Sequence, residues 1–131
     1  MRIDVDLTLV SPKPYATPLR PSQSVGSGEP VVVMHLKGAL VEGPGVYFFL
    51  EQLRLLISRG IRSFVIDLLQ ADLIDARGVG GLAAAYNSVR DARGSIKYVL
   101  ESEDLFSSIS RNHLERVFDI YQDETSAIAG F

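Results

Sequence analysis

The 131-residue sequence contains no cysteine, which excludes disulfides, thiol nucleophiles and cysteine-ligated metals. It has no apolar run near the roughly 18 residues a bilayer-spanning helix needs, so direct membrane insertion is not expected. It also has no excess of positive charge. Thirteen Lys and Arg against 16 Asp and Glu leave a net charge of −3, and no basic run stands out. A nucleic-acid partner therefore has no electrostatic footprint to bind. The opening MRIDVDLTLV alternates charged and apolar residues, unlike a secretory signal. A cytoplasmic location suits the missing cysteines.

What is present is ordinary for a globular chain: 47% hydrophobic and 22% charged residues, enough to bury a core in a single domain over 1–131. Residues 1–10 alternate and read as a strand with one wet face. Residues 11–30 hold five of the six prolines, two glycines and four serines, and read as a long loop. VVVMHLKGAL is a second strand ending at Gly38. Gly43-Pro44-Gly45 then breaks the chain before a helix whose Val46, Phe49, Leu50, Leu53, Leu56 and Ile57 share a stripe, with Gly60 beyond its end. RSFVIDLL (62–69), SIKYVLE (95–101) and RVFDIYQ (116–122) read as strands. Residues 78–92, Glu103 to about Arg111, and a segment capped by Asp123 read as helices.

This alternation implies an α/β fold, a mixed and mostly parallel sheet of about five strands. Val32, Met34, Leu36, Phe64, Ile66, Leu68, Ile96, Tyr98, Leu100, Phe118 and Ile120 line one face. The other face mixes Val31, Val33, Val65, Val99 and Val117 with His35, Lys37, Asp67, Lys97, Glu101 and Asp119. A doubly wound sheet buries both faces and shows continuous apolar runs. This pattern instead predicts helices mainly on one face and little or no switch-point crevice. The usual ligand site of an open α/β sheet is then missing, and an enzyme is not expected.

The motifs agree. GVGGL does not complete G-x-G-x-x-G, and it follows the third strand rather than the first. There is no P-loop and no serine–histidine arrangement suited to hydrolysis. His35 and His113 read as surface residues, Asp67 as a hydrogen-bonded structural carboxylate, and Glu101, Glu103 and Asp104 as a solvated acidic patch. No metal or other cofactor is implied.

LIDARGVGGL (73–82) is the stretch that needs explaining. Asp75 stands where its carboxylate can accept from the free amides of a helix start. Capping does not require Gly78, Gly80 and Gly81 just after it, each costing about 1 kcal/mol relative to alanine in a helix. Bare backbone and low relief suit the close approach of another protein.

With its element order, Val65-Ile66-Asp67-Leu68, the Asp75-Ala76-Arg77-Gly78-Val79-Gly80 loop after Ile74, Leu105-Phe106 and Val117-Phe118-Asp119-Ile120-Tyr121, the chain resembles the STAS domain. More narrowly it resembles the bacterial anti-sigma factor antagonists, over about 31–131 plus strand 1–10. The resemblance implies a non-enzymatic binding module of transcription regulation whose partner is an anti-sigma factor or related regulator. The family's two residues between the Asp and the Gly are typically Ser-Ser or Ser-Thr, one of them phosphorylated by a partner kinase that is also the anti-sigma factor. A phosphate there adds roughly −2 charge to the docking surface. Here the positions are Ala76 and Arg77, and neither carries a hydroxyl.

The resemblance thus carries over a docking surface but not the switch. That surface comprises Asp75, Ala76, Arg77, Gly78, Val79, Gly80 and Gly81, with Glu42 as a shifted equivalent of the family's acidic residue after strand two. Arg77 either pairs with Asp75 or reaches an acidic partner. Two rival functions stay open: a STAS subunit of a membrane-associated lipid-transport complex, and a small-ligand or nucleotide sensor using the amides of 77–81. The mixed-face valines are either a homodimer surface or simple strand formers.

Overall fold

The computed structural model describes residues 3–10 and 30–131. The strands and helices, in chain order, are β1 (Ile3–Val10), β2 (Val31–Leu40), α1 (Pro44–Ser58), β3 (Ser63–Asp67), β4 (Ala71–Ile74), α2 (Ala76–Asp91), β5 (Ser95–Val99), α3 (Glu103–Arg111), β6 (Ile120–Tyr121) and α4 (Glu124–Ala129). Apart from Pro30, the proline-rich segment 11–30 lies outside the described residues.

One six-stranded sheet carries the fold, in the order β1-β2-β3-β5-β6 with β4 pairing the far end of β2. Only β1 runs antiparallel to its neighbour, and the other pairings are parallel. Beyond the antiparallel β1–β2 pair the main path grows in one direction, so among the described strands it forms no switch-point crevice.

Alternation decides which residues meet the helices. Val32, Met34, Leu36, Phe64, Ile66, Leu68, Ile96, Tyr98, Leu100 and Phe118 form one core with Phe49, Leu50 and Leu53 of α1, Val79, Leu82, Ala85 and Val89 of α2, and Leu105 and Ile109 of α3. The Tyr98 hydroxyl, inside this core, donates to the Leu82 carbonyl at 2.7 Å.

Several boundaries differ from the sequence reading. β2 continues past Gly38 to Leu40, with a register shift between Gly38 and Ala39. β3 has ended by then, so the tail of β2 has a free edge, and Ala71–Ile74 fills it as an unforeseen sixth strand. The expected strand 116–122 shrinks to Ile120–Tyr121. Residues Leu114–Arg116 instead form a 3-10 turn, entered through His113 in the left-handed region (φ 60°).

The second face holds a correction. Val31, Val33, Val65 and Val99 are fully buried in a small core with Ala127 of α4, against which Tyr121, Ile128 and Phe131 pack. They offer no surface to a second copy of the chain. Val117 is exposed and lies apart from them. α4 is the exception to one-sided helices. Asp123 caps it, accepting from the Ser126 amide at 2.7 Å.

Polar contacts pin α4 as well. His35 is not a free surface residue: its Nε2 lies 2.8 Å from Glu124 Oε2. Burial, and then the neighbouring Glu124 carboxylate, push the Asp67 carboxyl up to about 6, while its hydrogen bond to Asp67 lowers Glu124. Of the two carboxyls, Asp67 is the first to take up a proton as pH falls. On the neighbouring strand Lys97, buried beside Tyr121, bonds Asp119 at 2.5 Å.

Candidate functional site

β2 leaves the sheet at Leu40 and hands the chain to α1 through Val41-Glu42-Gly43. Gly43 sits at φ 140°, a backbone conformation that L side chains rarely adopt, and Pro44 opens the helix where its missing N–H costs nothing. Three elements later, β4 runs beside the same end of β2 and delivers Asp75 to the start of α2. The two helix starts therefore lie side by side.

Asp75 joins them. One carboxylate oxygen accepts from the Gly78 amide at 2.8 Å, capping α2, and the other accepts from the Glu42 amide at 3.0 Å. The hydrogen bonds from Glu42 and then Gly78 hold the Asp75 carboxyl below the usual carboxylate range. Asp75 is thus both a helix cap and a clasp between the β2 exit and α2. The sequence brings out the first role and not the second.

The three glycines separate into different roles. A Cβ on Gly78 would collide with the Leu40 carbonyl of β2 and sit 2.8 Å from Ile74 Cγ1; one on Gly81 would lie 2.7 Å from Val46 Cγ1 of α1. Both glycines are buried, as is Val79 between them. Their expected place on a partner-facing surface is corrected: they let α2 press against β2 and α1. Gly80 alone is open, with nothing within 4 Å of an added Cβ.

The expected surface residues that do face solvent are Glu42, Ala76, Arg77 and Gly80. Arg77 makes no ion pair among the described residues, so of its two readings the pairing with Asp75 is not realised.

Between the two helix starts lies an open groove of about 860 Å³, whose lining includes Glu42, Tyr47, Phe48, Arg77, Gly80 and Ala84. Tyr47 is 72% exposed and Phe48 46%. Sequence reasoning missed these two rings, although a signal existed: both fall outside the apolar stripe of α1, where a helix that only packs inward is polar. Large exposed aromatics rimmed by charge mark interaction surfaces.

Two of the amides that would hold an anionic ligand here are already engaged. Gly78 N–H serves the Asp75 carboxylate, Val79 N–H donates to the Asp75 carbonyl at 2.9 Å, and a carboxylate occupies the place a phosphate would take.

No family model matches the sequence, nor does any curated protein. Solved structures do match in fold. A protein from Thermotoga maritima assigned as an anti-sigma factor antagonist superposes with a TM-score of 0.71 at 19% identity, over 76% of this chain and 86% of that one. An anti-sigma factor antagonist from Mycobacterium paratuberculosis gives 0.64 at 18% identity, over 95% and 93%. The anti-sigma factor antagonist SpoIIAA in its unphosphorylated form gives 0.59 at 15% identity, over 73% and 83%. The chain has the SpoIIAA-like STAS fold. Among the described residues no helix is long and apolar enough to cross a membrane.

Proposed function

We propose that this chain is a non-enzymatic docking module of the anti-sigma factor antagonist type. It seats a regulatory protein, an anti-sigma factor of the ATP-binding kinase class, in the groove between the starts of α1 and α2. It works without the serine phosphorylation switch. The observation that carries this reading is the Asp75 clasp: it fixes Glu42, Ala76 and Arg77 beside the exposed rings of Tyr47 and Phe48. At the place where the resemblance implies a hydroxyl, the chain offers a methyl group and a guanidinium that makes no ion pair among the described residues. Arg77 presents five donors in a planar fork, suited to a partner carboxylate.

The rival sensor reading is weakened, because two of the α2 amides it needs, those of Gly78 and Val79, already donate to Asp75. Nothing in the geometry favours a lipid-transport subunit.

Binding to the kinase-type anti-sigma factors of the same organism, measured calorimetrically, tests the proposal. Gly80→Gln puts a helix-compatible side chain into the groove, and Arg77→Glu reverses the charge at its edge. Each is expected to weaken the complex at least about tenfold, or about 1.4 kcal/mol, with the thermal midpoint unchanged or raised. Incubation with the kinase and Mg-ATP is expected to leave the mass of the 73–82 peptide unaltered. Wild-type affinity in both variants would remove the groove from the interface; a phosphate on that peptide would restore the switch.

A further inference from the structure

His35, Asp67 and Glu124 come from three separate elements, β2, β3 and α4, and meet on the second face of the sheet. The parallel register of β2 and β3 sets His35 directly beside Asp67, and α4 brings down Glu124 from above. His35 Nε2 lies 2.8 Å from Glu124 Oε2 and 3.7 Å from Asp67 Oδ2, and one ligand atom from each residue falls within 4.8 Å of the others. A tetrahedral ion about 2.0–2.1 Å from its nitrogen and oxygen ligands would space them roughly 3.3–3.4 Å apart. The two imidazole separations fall on either side of that value.

The surroundings are also those of a ligand set. The Asp67 side chain is 5% exposed, and its Oδ1 accepts the Leu69 amide at 2.8 Å, which orients Oδ2 toward the imidazole. His35 and Glu124 are 26% and 34% exposed, which leaves an open side for entry and for a water ligand.

We propose that His35 Nε2, Asp67 Oδ2 and Glu124 Oε2 form a divalent transition-metal site of the zinc class. One imidazole nitrogen with two carboxylate oxygens suits Zn²⁺. The set lacks the thiolates that favour Cu(I) and the six to eight oxygens that Ca²⁺ requires. An ion here bolts α4 to the sheet through Glu124, over the buried valines. The site shares no residue with the α1–α2 groove and does not rest on the docking reading.

The test is calorimetric titration of the chelator-treated full chain with Zn²⁺, alongside the visible spectrum of bound Co²⁺ and the thermal midpoint with and without metal. The expected result is one ion per chain, a dissociation constant below about 10 µM and a metal-dependent rise in midpoint. Glu124→Gln, which keeps a hydrogen-bonding group toward His35, and His35→Gln are each expected to weaken binding at least about tenfold and abolish the rise in midpoint. His113→Ala is expected to change nothing. If wild type fails to bind Zn²⁺ at millimolar concentration, the three residues are only a hydrogen-bonded strut. Undiminished binding by Glu124→Gln would place the ion elsewhere. Either outcome overturns the site.

Discussion

An alanine methyl at Gly78 collides with the backbone carbonyl of Leu40, and at Gly80 it meets nothing within 4 Å. The two positions are two residues apart on one helix, so intrinsic propensity favours alanine at both by about 0.5–1 kcal/mol. The surroundings then divide them. At Gly80 the full gain survives, and the thermal midpoint rises roughly 2–5 °C for a domain of this size. At Gly78 the obstacle is backbone, which no rotamer change relieves, so α2 must lift from β2. That movement also strains the Asp75 bonds to Gly78 and Glu42. We expect Gly78→Ala to cost about 3 kcal/mol or more, at the upper end of overpacking losses. Urea denaturation followed by circular dichroism reads both variants, with m-values compared to confirm that the same surface unfolds. If Gly78→Ala matched wild type, the close approach of α2 to β2 would be wrong, and with it the division of the glycines. A loss of stability in Gly80→Ala would refute the open position and undercut the groove.

Asp75→Ala is expected to cost about 1–2 kcal/mol through the lost cap, read by the same denaturation. Because folding lowers the Asp75 carboxyl, its contribution is present above the unfolded value near 4 and is lost as pH falls through the folded one. Asp75→Ala should therefore flatten the acid limb of the stability curve. Asp67 carries the opposite sign. Its folded value of about 6 lies above the unfolded one, so in the metal-free chain its penalty at pH 7 is relieved as pH falls toward 4. Asp67→Asn should abolish that relief, as stability measured from pH 7.5 to 5 will show. Tyr98→Phe removes the 2.7 Å bond to Leu82 inside the core and is expected to cost about 0.5–1.5 kcal/mol in chemical denaturation.

Much of the fold was legible because period-2 and period-3.6 patterns survive wherever one face is buried and the other wet. The core face of β2, β3 and β5, the α1 stripe and the caps Asp75 and Asp123 all follow from that. β4 was not legible: four residues with Asp72 and Leu73 both exposed carry no alternation, and only the free tail of β2 makes them a strand. The last strand was overread because Val117-Phe118 looks β-like but follows a 3-10 turn. At the site, the sequence marked Asp75 and the glycines as unusual. It could not separate Gly78 and Gly81 from Gly80, since identical residues differ only in what lies across from them. Nor could it bring Glu124 to His35, a contact spanning 89 positions.

The short tail that closes the second face has a consequence for proteolysis. Val31, Val33, Val65 and Val99 share a small core with Ala127 of α4, a helix of under two turns, and with Ile128 and Phe131 packed against it. A cut before Asp123 would strip that cover and leave a greasy stripe along the middle of a largely intact sheet. The trimmed molecule would find its replacement lid on a neighbour, so a nick before α4 would turn this fold into a seed for self-assembly.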